Sequence, residues 1–375
     1  MIYSSHVIIL LLKLRKKRSI MEREQINFKD FQLYVGLDVH KRQWSVSIYT
    51  VSAHHRTFSQ PPYPKALKSY LEKHFPQASV KCAYEASKFG YWIFRELASF
   101  GYECLVVNAA DIPTSNKESS EKADPSDSRK IGKALRAGLL SGIHIPQQHT
   151  EGDRQLFRYR KRLWADLVRV KNRIKDKFLF AGIEIPQQHD NPNWTKAFLK
   201  WLKEAVLPDV HTRLTLDMLL EQYHFLYRHF LKVSIEVRKL QRTSYYKTNA
   251  KLLRSIPGIG PLTTVQLLTE IEDINRFQTF KKFNGYVGFK PTTHSSGEHD
   301  WRGRMTYRQN RALRSALIEC AWTTVSIDPV MLQRYEDLKK RITAKRAIVI
   351  IARKLLSRIY FVLKNQKPYE LGIAK

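Results

Sequence analysis

Tyr34-Val35-Gly36-Leu37-Asp38 is a strand-like run that ends on a carboxylate, and Val80-Lys81-Cys82-Ala83-Tyr84-Glu85 ends on another. Asp124 and Asp127 follow at the start of a helical segment, three residues apart, so both can point the same way. Clustered carboxylates repel one another unless a cation sits between them. Hard oxygen ligands of this kind suit Mg2+ or Mn2+. Two such ions about 3.5–4 Å apart activate an attacking oxygen and stabilise a leaving one in phosphodiester chemistry.

The segments around these acids read as alternating strands and helices. Ser45 to Tyr49 alternates polar and apolar residues, as a half-buried strand does, and pairs with Tyr34–Asp38 as a hairpin around His40, Lys41 and Arg42. Helices are expected over 64–74, 91–100 and 128–140, and a strand over Cys104 to Val107. This interleaving predicts an α/β layer architecture for residues 31–150. The polar stretch 111–122 is expected to be a mobile loop when no substrate is bound.

The chain carries 65 Lys+Arg against 34 Asp+Glu, a formal charge of +31, which points to a polyanionic partner. Each Lys or Arg set against a phosphate also releases condensed counterions. A hydrophobic content of 43% supports real cores and argues against global disorder. Cys82, Cys104 and Cys320 form no CxxC pair, and they read as buried small hydrophobes in a reducing cytoplasm. Val7 to Leu12 is too short to span a bilayer, and its charges follow the apolar run instead of preceding it. Residues 1–30 are therefore read as an N-terminal extension, with Met21 an alternative start to Met1.

Residues 151–250 are helical. Leu216, Leu219, Tyr223, Leu226, Phe230, Val233, Val237 and Leu240 follow alternating spacings of three and four, the seam of a coiled coil. Its partner is either the preceding helix of the same chain, folded back as an antiparallel hairpin, or another protomer.

Residues 251–375 read as a mainly helical unit. Ile256-Pro257-Gly258-Ile259-Gly260 enters an apolar helix, and such a turn presents backbone N–H groups to a phosphate, as in helix-hairpin-helix units. Gly258 and Gly260 are the candidate contacts. Ser295-Ser296-Gly297 reads as a loop, followed by Arg302, Arg304, Arg308 and Arg311. A hydroxyl beside guanidinium groups can attack a phosphate whose growing charge arginine neutralises. The helix over 344–363 is amphipathic, with charges that rule out a membrane segment.

Taken in order, the stretches 34–41 (YVGLDVHK), 84–87 (YEAS), 124–130 (DPSDSRK), 256–261 (IPGIGP), 283–291 (FNGYVGFKP), 295–297 (SSG), 302–304 (RGR) and 310–314 (NRALR) resemble the IS110/IS1111 family of insertion-sequence transposases, the DEDD transposases. The resemblance covers about residues 31–335. It implies an RNase H/RuvC-like N-terminal domain with Asp38, Glu85, Asp124 and Asp127 as catalytic metal ligands. It implies a C-terminal domain with a serine nucleophile that maps best onto Ser296, with Ser295 beside it. It further implies donor and target DNA as substrates, a structured guide RNA encoded by the element, a homo-oligomer (dimer or tetramer), and a bacterial or archaeal cytoplasmic setting at the nucleoid. The sequence departs from the family pattern in its N-terminal extension and at Met305-Thr306-Tyr307, where a basic or small residue is usual. Two other readings fit the residues: a RuvC-like Holliday-junction resolvase that uses water, and a non-catalytic basic nucleic-acid-binding protein whose carboxylates pair with Lys and Arg.

Overall fold

The structure is a computed structural model that describes residues 28–113, 124–190, 193–296, 299–305 and 309–372, with backbone alone at 124–125 and 291–305. The N-terminal extension up to residue 27, most of the loop expected over 111–122, and Arg308 lie outside the described residues. The chain divides into two compact units, residues 1–145 and 146–375.

The first unit is built on a five-stranded sheet in the order β3-β2-β1-β4-β5. Strands β1 (Gln32–Val39), β2 (Trp44–Tyr49) and β3 (His54–Gln60) run antiparallel in sequence. Strands β4 (Ser79–Glu85) and β5 (Glu103–Val107) run parallel to β1. Helix α1 (Pro64–His74) connects β3 to β4, and α2 (Trp92–Ser99) connects β4 to β5. Strand alternation sorts the side chains of the sheet onto two faces. Leu33, Val35 and Leu37 of β1 pack with Leu67 and Leu71 of α1 and Ile93 and Leu97 of α2. The opposite face, with Ala83 of β4, packs against Ile131 and Leu135 of α3 (Asp124–Arg136). Helices on both faces explain why every residue of β2 is buried. The expected hairpin, helices and strands are all present, but β3 was not foreseen. Its sequence, HHRTFSQ, is that of a polar edge strand and lacks the alternation that marks a half-buried one.

In the second unit, α4 (Gln148–Phe180) and α6 (Val210–Leu240) lie against each other, with α5 (Lys196–Glu204) beside them. Phe157 packs with Val237, Arg160 stacks on Phe230, and Lys171 sits over Tyr223, so the two long helices run antiparallel. The predicted seam is thus closed within one chain. Leu216, Tyr223 and Val237 are buried, whereas Leu219, Leu226, Phe230, Val233 and Leu240 are only partly so, and Leu220 and Ser234 complete the buried side.

The remaining elements are α7 (Lys247–Arg254), α8 (Pro261–Ile271), α9 (Phe280–Val287), the strand pair β6 (Pro291–Ser296) and β7 (His299–Met305), α10 (Arg311–Ile327), α11 (Pro329–Lys339) and α12 (Ala344–Asn365). Helix α12 is the spine of this core: Ile351, Leu355, Leu356 and Ile359 are fully buried, and its charges face outward. Among the described residues no helix is long and apolar enough to cross a membrane. All three cysteines are buried and free.

Candidate active site

Asp38 and Glu85 lie side by side at the ends of neighbouring parallel strands. Leu37 of β1 pairs with Tyr84 of β4, so the next residue on each strand is an acid. Both continue the face that carries Gly36 and Ala83, the face covered by α3. The helix reaches the sheet closely because Gly36 has no side chain. A Cβ there would stand 2.1 Å from the Ser128 carbonyl oxygen and 2.3 Å from the Gly132 amide nitrogen. Ser128 is wholly buried, and its hydroxyl lies 2.9 Å from Ser45 Oγ and 2.8 Å from Ser47 Oγ. Because Ser45 pairs with Asp38 across the hairpin, these contacts fix the first turns of α3 beside Asp38. Asp127 precedes Ser128 and faces the same end of the sheet.

Three carboxylates from three elements therefore share one electrostatic neighbourhood. Glu85 reaches solvent, yet its carboxyl is pushed above the ordinary glutamate range, first by protein packed around it, then by the charges of Asp38 and Asp127. Asp38 Oδ2 lies 3.0 Å from His40 Nε2. Lys130 Nζ donates to Asp127 Oδ1 at 3.1 Å, and this ammonium offsets part of the local negative charge. Among the described residues no three His, Cys, Asp or Glu side chains stand close enough together to hold a metal ion. The Asp124 side chain is not among those described; its backbone begins α3, one turn before Asp127. The donor set is nevertheless entirely hard oxygen, and its members repel one another in a chain that is otherwise strongly cationic. That chemistry fits a divalent cation.

The other expected residues fall in the second unit. Ser295 and Ser296, expected to lie in a loop with Gly297, belong to a strand: Pro291–Ser296 and His299–Met305 pair antiparallel, and Gly297 lies outside the described residues. Ser296 pairs with His299 at its tip, Ser295 with Asp300, and Thr293 with Arg302; Arg304 lies further along β7. Arg311 is exposed at the first turn of α10. Gly258 has φ +84°, and a Cβ there would meet the Cys320 carbonyl oxygen and Thr324 Oγ1 at 2.6 Å, so its first role is to let α10 approach the turn. Gly260 has open space around it. Both line a groove of about 490 Å³ with Arg160, Lys161, Thr263 and Gln266.

Residue-level reading of the sequence did not single out Gly36, Ser128 or Glu270. An isolated glycine within a strand pattern signals close backbone approach and marks Gly36 in retrospect. A serine on a helix and a lone acid in an apolar helix carry no comparable local signal.

Two family models match the chain. One, for IS110-type DEDD proteins and described as "Transposase", matches residues 35–180, and one described as "Transposase IS116/IS110/IS902 family" matches residues 250–336. The chain is similar to a putative transposase, y4qE, of Sinorhizobium fredii (strain NBRC 101917 / NGR234), 28% identical over 246 residues, 65% of this chain and 58% of that protein. The matched stretch thus spans a little over half of that relative's length. It is also similar to the transposase for insertion sequence element IS1533 of Leptospira borgpetersenii, 24% identical over 365 residues, 92% of this chain and 99% of that protein. A pilin gene-inverting protein of Moraxella bovis is 33% identical over 130 residues, 33% of this chain and 39% of that protein.

Proposed function

The chain belongs to the IS110/IS1111 family of transposases, and from that premise we propose that it cuts and rejoins DNA through the carboxylates of its first unit and a serine of its second. The observation that carries this reading is the shared field of Asp38, Glu85 and Asp127, which converge from two strand ends and one helix.

Asp38, Glu85, Asp124 and Asp127 would hold a divalent ion, Mg2+ or Mn2+, which when bound would supply positive charge to the scissile phosphate and lower the pKa of an attacking hydroxyl. The chain's own groups do the rest. The Ser128 contacts and the Gly36 crossing hold α3 on the sheet, so the acids need little reorganisation. Ser296 Oγ gives up its proton and forms the new bond to phosphorus, the bond to the leaving strand's oxygen breaks, and that oxygen takes up a proton, so the step is proton-neutral overall. The phosphoserine link conserves bond energy, so a hydroxyl from another strand reverses the step and reseals the DNA. Arg302 and Arg304 neutralise charge on the phosphate during attack, and Arg308, Arg311, Gly258 and Gly260 contact the nucleic-acid backbone.

Functionally, residues 31–150 are the DEDD catalytic domain, 151–250 the helical hairpin, and 251–375 the serine-bearing transposase domain. The partners are donor and target DNA, a structured guide RNA encoded by the element, and further copies of the chain. The net charge of +31 supports nucleic acid as the partner.

The test is a pair of substitutions assayed for strand exchange and for a protein–DNA covalent adduct. Ser296→Ala abolishes both, and Asp38→Ala abolishes both. If Ser296→Ala still cleaves while Asp38→Ala does not, water is the nucleophile and the serine assignment fails.

A further inference from the structure

Glu270 is a carboxylate with only 4% of its surface exposed, in an otherwise uncharged helix, α8. Its two oxygens face different parts of the second unit. Oε1 accepts from Arg158 Nη2 of α4 at 2.9 Å. Oε2 accepts from Asn310 Nδ2 at 3.0 Å, and Arg154 Nε of α4 lies 3.8 Å from it. The main-chain carbonyl of Glu270 accepts from Tyr286 Oη at 3.0 Å and from Arg276 Nη2 at 3.1 Å.

Tyr286 and Asn310 flank the β6–β7 hairpin. Tyr286 lies in α9 just before it, and Asn310 just after it caps α10 by accepting from the Leu313 amide. The two are also tied directly: the Asn310 main-chain N–H donates to the Tyr286 carbonyl at 2.9 Å, and Asn310 Nδ2 lies 3.3 Å from Tyr286 Oη. Gly288 and Gln309 close the same base, where a Cβ on Gly288 would stand 2.3 Å from Gln309 Cβ. Both ends of the hairpin segment thus meet on one buried acid, which is in turn held by two arginines of α4.

We propose that Glu270 is a positioning residue: it clamps the root of the β6–β7 hairpin to α4 and so sets where the hairpin tip, with Ser296, is presented to DNA. An isolated two-stranded hairpin has little stability of its own in water, so its direction is dictated at its base. A displacement of about 1 Å at a reacting group costs on the order of 100-fold in rate. The proposal rests on the reading of Ser296 as the nucleophile.

The chemistry of the clamp requires an acceptor on both sides. Arg158 and Asn310 both donate, so an amide at position 270 satisfies one and sets its own NH2 against the other. Glu270→Gln therefore breaks the clamp at constant shape. The double variant Glu270→Gln/Asn310→Asp restores it: the new amide accepts from Arg158 and donates to the new carboxylate, which still caps α10.

The experiment compares full-length parent, Glu270→Gln, the double variant and the milder Tyr286→Phe. It measures strand exchange, DNA affinity, and hydrogen exchange of residues 291–305. Glu270→Gln is expected to slow strand exchange about tenfold or more, with DNA affinity held within about twofold and faster amide exchange in the hairpin. Tyr286→Phe shifts rate and exchange in the same direction by less. The double variant returns the rate to within about threefold of the parent. The proposal is overturned if Glu270→Gln recombines at the parental rate, if the double variant is no better than the single one, or if activity and DNA affinity fall together. Hairpin amide exchange reports on the clamp whichever group attacks, so a failed serine assignment is told apart from a failed clamp.

Discussion

Gly36 of β1 and Gly132 of α3 cross with almost no space between them: a Cβ on Gly36 would lie 2.3 Å from the Gly132 amide nitrogen. This crossing lets a helix sit directly on the sheet and brings Asp127 toward Asp38 and Glu85. The obstructing atoms are backbone and cannot rotate away, so Gly36→Ala is expected to cost about 3 kcal/mol or more of stability and to abolish strand exchange. Thermal melting followed by a recombination assay checks it, and a variant that melts and recombines like the parent refutes the account.

Removing any one carboxylate of Asp38, Glu85 or Asp127 is expected to reduce DNA cleavage by roughly 10³-fold, or about 4 kcal/mol of transition-state stabilisation. DNA affinity measured in gel shifts stays near the parental value, because binding rests on the basic surface. Cleavage that survives Asp127→Ala at full rate would separate that residue from the site.

The mutual repulsion around Glu85 has a consequence for stability. Its folded-state pKa is raised, first by burial and then by Asp38 and Asp127, so the folded protein holds this proton more tightly than the unfolded chain does. The stabilising effect of that proton is fully present at low pH. It is lost as pH rises from the ordinary glutamate range through the raised value. At neutral pH, metal-free Glu85→Gln protein is therefore expected to melt no lower than the parent. Added Mg2+ stabilises the parent, by about 2.7 kcal/mol at a hundredfold excess over Kd, and the variant much less. Calorimetry with and without Mg2+ decides it: a variant that Mg2+ protects as well as the parent removes Glu85 from the ligand set.

Ser128 has no contact with substrate in this account, but its hydroxyl joins α3 to β2 through Ser45 and Ser47. Ser128→Ala leaves buried hydroxyls without that partner and is expected to cost about 1–3 kcal/mol. Denaturant titration measures this directly. A loss below about 0.5 kcal/mol would mean the contact contributes little net stability.

The helical hairpin closes on residues of its own chain, with Leu167 of α4 fully buried among Leu216, Leu220 and Tyr223. Leu167→Ala is expected to destabilise the protein by about 2–5 kcal/mol, independently of protein concentration. Chemical denaturation of parent and variant at two concentrations tests it; a gap between their midpoints that changes with concentration would show that the seam is completed by another chain.

Much of the first unit was legible in local patterns. Alternation located β2, strand-like runs located β1 and β4, and the acids closing those two runs marked one end of the sheet before any partner was known. Helices α1 and α12 carried their own apolar faces. Strand β3 escaped because an edge strand with solvent on one side needs no apolar period. The β6–β7 hairpin escaped because neither strand has an apolar face, so its pairing is visible only when both are present. Glu270 escaped for a different reason: its partners Arg158 and Asn310 lie 112 and 40 residues away.

The amino-acid sequence alone determined the charge that calls for a polyanion, the carboxylates at the strand ends and helix start, and the heptad seam of α6. These follow from composition and from periods of two and 3.6 residues, which any short window of chain displays. Only the tertiary structure decided that α3 lies on the sheet at Gly36, that the seam closes on α4 of the same chain, and that one buried acid ties both ends of the serine hairpin together. Those relationships depend on excluded volume and hydrogen bonds between residues far apart in the chain, and no local pattern records them.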